Sequence, residues 1–411
     1  MRLIVIGGGA AGFFCAVTAA RLNAELEVII VERTGKLLTK VRISGGGRCN
    51  VAHACFSIPE MMKKYPRGEH FVKKTFHQFF TEDTIVWFKE RGVLLKTEED
   101  GRMFPVSDTS ETIISCLQRE ASKYNVLIRL NREVKNIFNE QDKWKIEFAD
   151  GETETAEMVC VACGGYPKDS MFEWLKRTGH TVQSPVPSLF TFNMPGNAIT
   201  ALMGISTTAK IKIKGTKLEE SGPVLITHWG LSGPAVLKLS AKGAKELAAL
   251  NYRFSAMVNW CPSLNEHSVR EQLLEARTVQ AARKIITRSC FAIPQRIWEF
   301  LCALSGISES WKWCDLPSVA LNQLVRNIAA QELAVQGKTT FKEEFVTAGG
   351  ITLSEINPQT MESRLVKGLY FAGEIMDVDG ITGGFNFQHA WSSGWIAGKN
   401  VANFRIFATP N

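Results

Sequence analysis

The first 32 residues contain the feature that most constrains the fold. An apolar run begins at residue 2 and leads into Gly7-x-Gly9-x-x-Gly12, and an alanine-rich segment compatible with a helix follows. A second apolar run ends at Glu32, 20 residues after Gly12. This order of strand, glycine turn, helix and strand, closed by an acidic residue, predicts a βαβ unit that binds the ADP-ribose part of a dinucleotide.

Each residue type in this pattern has a physical task. Gly7 permits the tight turn, Gly9 lets a pyrophosphate approach the backbone, and Gly12 allows the helix to pack closely on the strand. The free N–H groups at the helix N-terminus favour the anionic pyrophosphate. Glu32 is positioned to accept hydrogen bonds from the ribose hydroxyls.

Two further glycine turns indicate FAD rather than NAD as the dinucleotide. A strand-like run over 368–374 ends in Gly373 and Glu374, and a glycine-rich turn over 379–386 precedes a helix-like segment. Residues 159–165 form another apolar run that ends in two glycines. FAD is longer than NAD and needs contacts from distant segments. No second Gly-x-Gly-x-x-Gly follows a strand, so we expect NAD(P)H to visit only transiently as reductant.

Four motifs carry a family resemblance. They are GGGAAG at 7–12, SGGGRCN at 44–50, THWGLSGP at 227–234, and YFAGE at 370–374 continuing into DGITGGFN at 379–386. Together they resemble the BaiN/RdsA-type, aminoacetone-oxidase-like family of FAD-dependent oxidoreductases over nearly the full chain. One departure follows the second motif, where Val51-Ala-His53 stands in place of a Thr-Asn type ending.

The resemblance implies an α/β fold with a glutathione-reductase-type, FAD-binding Rossmann domain and an insertion. We predict that residues 1–187 and 336–411 build the FAD-binding domain, with the latter range also supplying the return strands. Strand-like alternation predicts a β-rich domain over 188–260, and a helical pattern predicts a helical insertion over 261–335.

The SGGGRCN motif is best interpreted as a surface on which a flat group lies. Glycines without side chains let the backbone approach an aromatic ring, and Arg48 and Asn50 offer hydrogen-bond donors. Lys40 or Arg42 would add positive charge. The complete predicted cofactor site consists of Gly7, Gly9, Ala10, Ala11, Gly12, Glu32, Arg33, Lys40, Ser44, Gly45, Gly46, Gly47, Arg48, Cys49, Asn50, Val134, Ala162, Gly164, Gly373, Glu374, Asp379, Gly383, Gly384, Phe385 and Asn386.

Cys49, His228 and His389 are the candidate catalytic residues. Cys49 is either a proton donor beside the flavin or a packing residue, and its spacing from Cys55 disfavours a redox disulfide. His228 lies among an indole, a hydroxyl and glycines, which suits acid–base chemistry or a structural hydrogen bond. His389 begins the last helix-like segment, where a flavin-edge or helix-terminal contact is the alternative.

Composition and charge limit the remaining possibilities. The ten cysteines are irregularly spaced, so we expect reduced thiols, no structural disulfide and a cytoplasmic location. Residues three apart on a strand point to opposite faces, so Cys160 and Cys163 diverge and no metal site is expected. No apolar run reaches the roughly 20 residues of a membrane helix, and no leader-type segment is visible.

The charge pattern bears on the substrate. The net charge is +7; residues 61–77 mix cations with aromatic residues, and Lys210, Lys212 and Lys214 alternate along a strand-like run. Either these segments bind the phosphates and stack on the bases of a nucleic acid, or they are a solvated sheet surface and an amphipathic helix. Three functions stay open: reduction of uridine in ribosomal RNA to dihydrouridine with NAD(P)H, oxidation or reduction of a small amine or steroid-like molecule, and a non-catalytic flavin-bearing RNA-binding factor. The oligomeric state is not predicted.

Overall fold

The computed structural model describes residues 1–140, 143–340 and 346–404. The contacts divide the chain into two compact units, Met1–Ser188 with Lys342–Asn411, and Leu189–Phe341. The domain boundaries that we placed at 187, 260 and 335 stay predictions.

The bounds of the elements are as follows. The α-helices are Ala10–Leu22, Thr39–Gly47, Ile58–Met62, Glu69–Phe76, Thr81–Lys89, Glu111–Lys123, Glu173–Lys176, Pro234–Lys242, Ala244–Ala249, Glu266–Val279, Gln295–Leu304, Ser318–Ala329 and Phe385–Ala402. The strands are Arg2–Ile6, Glu27–Val31, Ala52–His53, Leu95–Thr97, Arg102–Pro105, Leu127–Arg129, Val134–Glu140, Lys143–Phe148, Thr153–Ala156, Met158–Val161, Val182–Pro187, Thr191–Asn193, Ser206–Ile213, Glu219–Thr227, Gly230–Ser232, Arg253–Asn259, Gln331–Gln336, Lys338–Thr339, Thr347–Ile351 and Leu369–Phe371.

A five-stranded parallel sheet forms the centre of the first unit. In spatial order its strands are Leu369–Phe371, Met158–Val161, Arg2–Ile6, Glu27–Val31 and Leu127–Arg129. The inner strands are almost continuously buried and apolar, as expected where both faces of a parallel sheet are covered. Strand Arg2–Ile6, the first of the chain, therefore lies between Glu27–Val31 and Met158–Val161. This is the arrangement of a Rossmann-type fold.

The first and last helices of this unit pack closely because glycines lie at their contact. A Cβ on Gly394 would be 2.5 Å from the carbonyl oxygen of Ala11, and a Cβ on Gly398 would be 2.4 Å from that of Cys15. Any larger residue would push helix Phe385–Ala402 away. Helix Phe385–Ala402 is thereby fixed against the N-terminal βαβ unit.

The second unit is a seven-stranded sheet covered by helices. Strand Ser206–Ile213 shows the predicted alternation, since Ile211 and Ile213 are fully buried while Lys212 is exposed. The prediction of a helical pattern up to residue 335 was wrong at its end, because Gln331–Gln336 is a strand. It pairs with Arg253–Asn259, so sheet pairing and alternate burial decided its conformation. Among the described residues, no helix is both long enough and apolar enough to cross a membrane.

Candidate FAD site

The carboxyl edge of the parallel sheet gathers the glycines that the sequence separates. Gly7 follows the central strand and Glu32 the next, while Ala162 and Gly373 follow strands on the other side. Because parallel strands end at the same edge, these four segments lie together. Such an edge, at the point where the strand order changes direction, is where open α/β sheets bind their ligands.

The first glycine turn fits a pyrophosphate. Gly7 has φ +114°, and a Cβ there would be 2.4 Å from the carbonyl oxygen of Ala162. A Cβ on Gly12 would be 2.0 Å from the carbonyl oxygen of Gly7, so helix and strand touch at this point. Gly9 has no atom within 4 Å of its Cβ position, which leaves open space in front of the N-terminus of helix Ala10–Leu22. Ala11 is buried in that helix.

Glu32 lies at the second strand end and is half-buried. One of its carboxylate oxygens accepts a hydrogen bond from the N–H of Gly8 at 3.0 Å, and the other accepts from the N–H of Thr34 at 3.0 Å. These bonds fix the carboxylate beside the glycine turn. Arg33 is exposed. The N–H of Arg132 donates to the carbonyl of Glu32 at 2.8 Å, which brings the segment leading to Val134 to the same place.

The SGGGRCN motif is an interrupted helix. Helix Thr39–Gly47 is broken at Ser44, where ψ is 148°, and Gly45, Gly46 and Gly47 then take φ of 60°, 70° and 84°. The Cβ positions of Gly46 and Gly47 have no atom within 4 Å, whereas Gly45 packs against Phe104. Two consecutive glycines therefore present bare backbone to open space, as the prediction of a flat surface requires.

The cations of this loop have protein partners. The Nη1 of Arg48 lies 2.6 Å from Glu98, and its guanidinium stacks at 3.9 Å from the ring centroid of Phe104. The Nζ of Lys40 lies 2.5 Å from the carboxylate of Glu374, so two predicted cofactor residues from opposite ends of the chain meet. Arg48 is consequently oriented by Glu98, and its predicted contact with the cofactor stays a prediction.

Asn50 and His53 attach this loop to the C-terminal glycine turn. The side-chain oxygen of Asn50 accepts from the N–H of Gly384 at 3.0 Å, while its amide nitrogen donates to Ala52 at 3.0 Å. The Nδ1 of His53 is 3.1 Å from the carbonyl oxygen of Gly383. The segment Val51-Ala-His53, in which the chain departs from the family motif, therefore helps to hold the C-terminal glycine turn in place. Inside the turn, the side chain of Asn386 bonds both the N–H and the carbonyl of Gly380, at 2.8 and 2.9 Å.

A buried ion pair that the sequence did not reveal supports the same turn. Asp379 is fully buried, and both its oxygens contact the guanidinium of Arg67 while the hydroxyl of Ser188 donates to one of them. Burial raises the pKa of Asp379, and Arg67 opposes that shift. Tyr65 donates to the carbonyl of Phe385 at 2.6 Å. The local sequence around Arg67 gave no signal, because its partner is 312 residues away.

His389 is buried next to this turn. Its Nε2 lies 3.3 Å from the carbonyl oxygen of Gly373, which can only accept, so this nitrogen carries the proton. Burial lowers the pKa of His389 to about 4, so the ring is neutral at neutral pH. Nδ1 is buried and has no hydrogen-bond partner among the described residues. A hydroxyl group of a bound cofactor could donate a hydrogen bond to Nδ1. This arrangement therefore favours a cofactor contact over general acid catalysis for His389.

Cys49 is fully buried and has φ 63°. Burial raises the pKa of its thiol to about 12, so the group is protonated at neutral pH. That state suits a proton donor or a packing residue and not a redox thiolate. All ten cysteines are free, and the described residues contain no group of three or more His, Cys, Asp or Glu side chains able to hold a metal ion.

His228 belongs to the second unit. It is exposed in the turn between strands Glu219–Thr227 and Gly230–Ser232, with its ring centroid 3.9 Å from that of Trp229. Its predicted catalytic role stays a prediction. Gly164, with φ +76° and open space at its Cβ position, lies in the first unit with the other predicted cofactor residues.

Comparison with known proteins agrees with this fold. Residues 1–400 match the family described as HI0933-like protein Rossmann domain. The chain is 30% identical to the ribosomal RNA dihydrouridine synthase of Haemophilus influenzae, covering 97% of this chain and 98% of that protein. It is 28% identical to the 3-dehydro-bile acid delta(4,6)-reductase of Clostridium scindens, over 98% and 99%.

Solved structures show the same fold at low identity. A flavocytochrome c3 fumarate reductase has a TM-score of 0.52 at 14% identity, over 98% of this chain and 78% of that one. The 3-ketosteroid-delta4-(5alpha)-dehydrogenase of Rhodococcus jostii also has a TM-score of 0.52, at 13% identity over 97% and 96%. The class that fold and site define is that of FAD-dependent oxidoreductases with a Rossmann-type domain, which confirms the predicted fold class. The chain belongs to the HI0933-like family, and the predicted resemblance is confirmed.

Proposed function

We propose that this protein is an FAD-dependent reductase that converts uridine in ribosomal RNA to dihydrouridine and uses NAD(P)H as its reductant. For the cofactor, the supporting observation is the edge at which Gly7, Gly9, Glu32 and Gly373 meet, with bare backbone at Gly46 and Gly47. FAD, when bound there, would relay the hydride of NAD(P)H to C6 of the uracil ring. Each turnover consumes one NAD(P)H and one proton and saturates one C5–C6 bond.

The chain's own residues would hold the cofactor and manage the proton. Gly9 and the helix N-terminus behind it would receive the pyrophosphate, and Glu32 the ribose. The proton for C5 needs a donor that is protonated at neutral pH. Cys49, whose buried thiol is protonated at neutral pH, is the first candidate, and His228 is the second. The target uridine must first leave its stack in the RNA.

The observation that favours RNA as substrate is positive charge without an ion-pair partner near the C-terminal glycine turn, residues 379–386. Lys73 and Lys74 are exposed and have no carboxylate within ion-pair distance in the described ranges, and the segment that carries them is bonded to the turn through Arg67. Two relatives that are named ribosomal RNA dihydrouridine synthases, at 30% and 29% identity, support the same choice.

The experiment is a modification map of ribosomal RNA. Deletion of the gene should remove a specific dihydrouridine from the large-subunit RNA, and the wild-type gene should restore it. A map that shows no lost site would refute the proposal for RNA.

Reduction of a steroid-like molecule is the second candidate, because the bile acid reductase aligns over 98% of this chain. It predicts NAD(P)H consumption by the purified protein with a 3-oxo steroid that contains a conjugated double bond. Activity with the steroid and none with RNA would establish this alternative.

A further inference from the structure

The two basic segments found in the sequence differ in their electrostatic surroundings. In the second unit, Lys210 on strand Ser206–Ile213 lies 3.0 Å from Glu219, and Lys214 just after the strand lies 2.9 Å from Glu332. These carboxylates neutralise most of that strand's charge. In the first unit, His70, Lys73, Lys74 and His77 are exposed on or just after helix Glu69–Phe76, and none has an ion-pair partner among the residues described.

The aromatic residues of the same segment do not face solvent. Tyr65, Phe71 and Phe76 are at most 7% exposed and pack into the first unit. Of the two alternatives left open for residues 61–77, the burial of these aromatic residues fits the amphipathic helix and not a base-stacking surface. Helix Glu69–Phe76 is amphipathic, and its solvent face offers cations without aromatic rings. Such a face is suited to phosphates and not to bases.

A surface cleft of about 490 Å³ lies beside this helix, entirely within the first unit. His70 and Lys74, one turn apart on the helix, line one side, and Arg364 contributes a third basic side chain. The Nε of Arg364 donates to the carbonyl of Ile356 at 3.3 Å, a bond to a neutral group that leaves the charge of the guanidinium uncompensated. Glu69 is the single acidic residue among those lining the cleft.

Backbone and side-chain contacts connect the cleft to the FAD site. The N–H of Ile381 donates to the carbonyl of Lys64 at 2.9 Å, and Arg67 pairs with buried Asp379. A Cβ on Gly68 would be 2.6 Å from Val378, so the start of the cationic helix touches the segment that leads into the glycine turn. A phosphate held in the cleft would consequently lie at a fixed position relative to the turn.

We propose that this phosphate cleft, formed by His70, Lys74 and Arg364 with Lys73 beside it, binds the sugar–phosphate backbone of the RNA substrate. The inference rests on the proposed function. Basic side chains that continue from the cleft to Lys73 and His77 suit a chain of phosphates better than a single anion. The cleft determines affinity and the placement of the RNA, and carries no base specificity.

The test uses two double variants of the full-length, FAD-loaded protein. Lys74→Gln/Arg364→Gln removes two unpaired charges of the cleft, and Lys210→Gln/Lys214→Gln removes two paired charges of the other unit as the matched control. The probe is ribosomal RNA purified from cells that lack the gene. Dissociation constants are measured over a range of KCl concentrations, together with dihydrouridine formation and with flavin reduction by NADPH in the absence of RNA.

We expect the cleft variant to reduce the slope of log affinity against log salt by about 1.4, since each lost contact to a single strand removes about 0.7. Its affinity at physiological salt should fall on the order of tenfold, while flavin reduction and the control variant stay at wild-type values. If the cleft variant binds and modifies RNA like the wild type, the cleft does not bind the RNA backbone, and the proposed function is unaffected. If the wild-type protein forms no dihydrouridine in this RNA, both the proposed function and the proposed role of the cleft are refuted.

Discussion

The two glycine turns of the FAD site are stabilised in different ways. The first turn, residues 7–12, is determined largely by backbone contacts inside one βαβ unit, such as the approach of Gly12 to the carbonyl of Gly7. The last turn, residues 379–386, is held by side chains from residues 50–67, among them Asn50 and Arg67. The first turn therefore depends mainly on the absence of side chains, whereas the last depends in addition on side chains from a distant part of the chain.

The largest effect is expected from Arg67→Leu, which leaves the buried carboxylate of Asp379 without its cation. Removing one partner of a buried pair costs about 3–5 kcal/mol, measured as the free energy of unfolding in urea. Burial raises the pKa of Asp379, so the folded state would bind a proton more tightly than the unfolded state. The loss of unfolding free energy should therefore be greater at pH 8 than at pH 5, because the carboxyl is more readily protonated at pH 5 and a protonated carboxyl needs no cation.

Two controls accompany this prediction. Lys63→Leu breaks the exposed pair with Glu60 in the same segment and should leave the free energy of unfolding almost unchanged. The double variant Arg67→Leu/Asp379→Leu removes both charges and should recover much of the stability. A loss from Arg67→Leu no greater than that from Lys63→Leu would contradict the view that this pair supports the last turn.

Alanine substitutions in the first turn should separate stability from cofactor binding. Gly12→Ala places a Cβ 2.0 Å from a backbone oxygen and should cost up to about 3 kcal/mol of unfolding free energy. Gly9→Ala meets no atom within 4 Å at a backbone φ of −96°, so the FAD-free protein should unfold within about 0.5 kcal/mol of wild type.

Gly9→Ala should nevertheless weaken FAD binding on the order of tenfold or more, because its methyl group occupies the space that the pyrophosphate needs. Thermal unfolding of the FAD-free protein and fluorescence titration with FAD measure the two quantities. Wild-type FAD affinity in Gly9→Ala would show that the pyrophosphate lies elsewhere.

The dependence of stability on pH should report on His389. Its folded-state pKa of about 4 lies below the ordinary value of 6.5, so protonation favours the unfolded state. This contribution to stability is complete above pH 6.5 and is lost as the pH falls toward 4. Between pH 7 and pH 5, the FAD-free wild type should lose about 2 kcal/mol more than His389→Gln, as measured by urea unfolding. Equal losses in the two proteins would show that the imidazole is not buried in its neutral form.

Much of the fold could be predicted from the sequence because its signals are local. The strand, turn and helix around Gly7 and Gly12 were expected from spacing alone, as was the alternation of Ile211 and Ile213. The strand Gln331–Gln336 was missed because it depends on pairing with Arg253–Asn259. The sequence left open whether the aromatic residues of 61–77 are buried, because their partners are distant in sequence.

For the FAD site, too, local signals could be predicted from the sequence and contacts between distant residues could not. Glycine motifs indicated which segments contact a cofactor, but not which cations are already neutralised. Arg48 lies against Glu98, and Lys40 against Glu374, contacts that span 50 and 334 residues. Lys74 and Arg364, by contrast, have no carboxylate partner within the parts of the chain that are described, and nothing in their local sequence distinguishes them from Lys210 or Lys214.

The sequence by itself determined the dinucleotide-binding βαβ unit, because a missing Cβ and a strand's apolar period act on neighbouring residues. Only the tertiary structure decided which charges are buried, paired or free, since that depends on groups brought together from opposite ends of the chain. Arg67 and Asp379 illustrate the reason, because the free energy of a charge is set by the distance to its partner and by exclusion of water, and neither quantity exists before the chain folds.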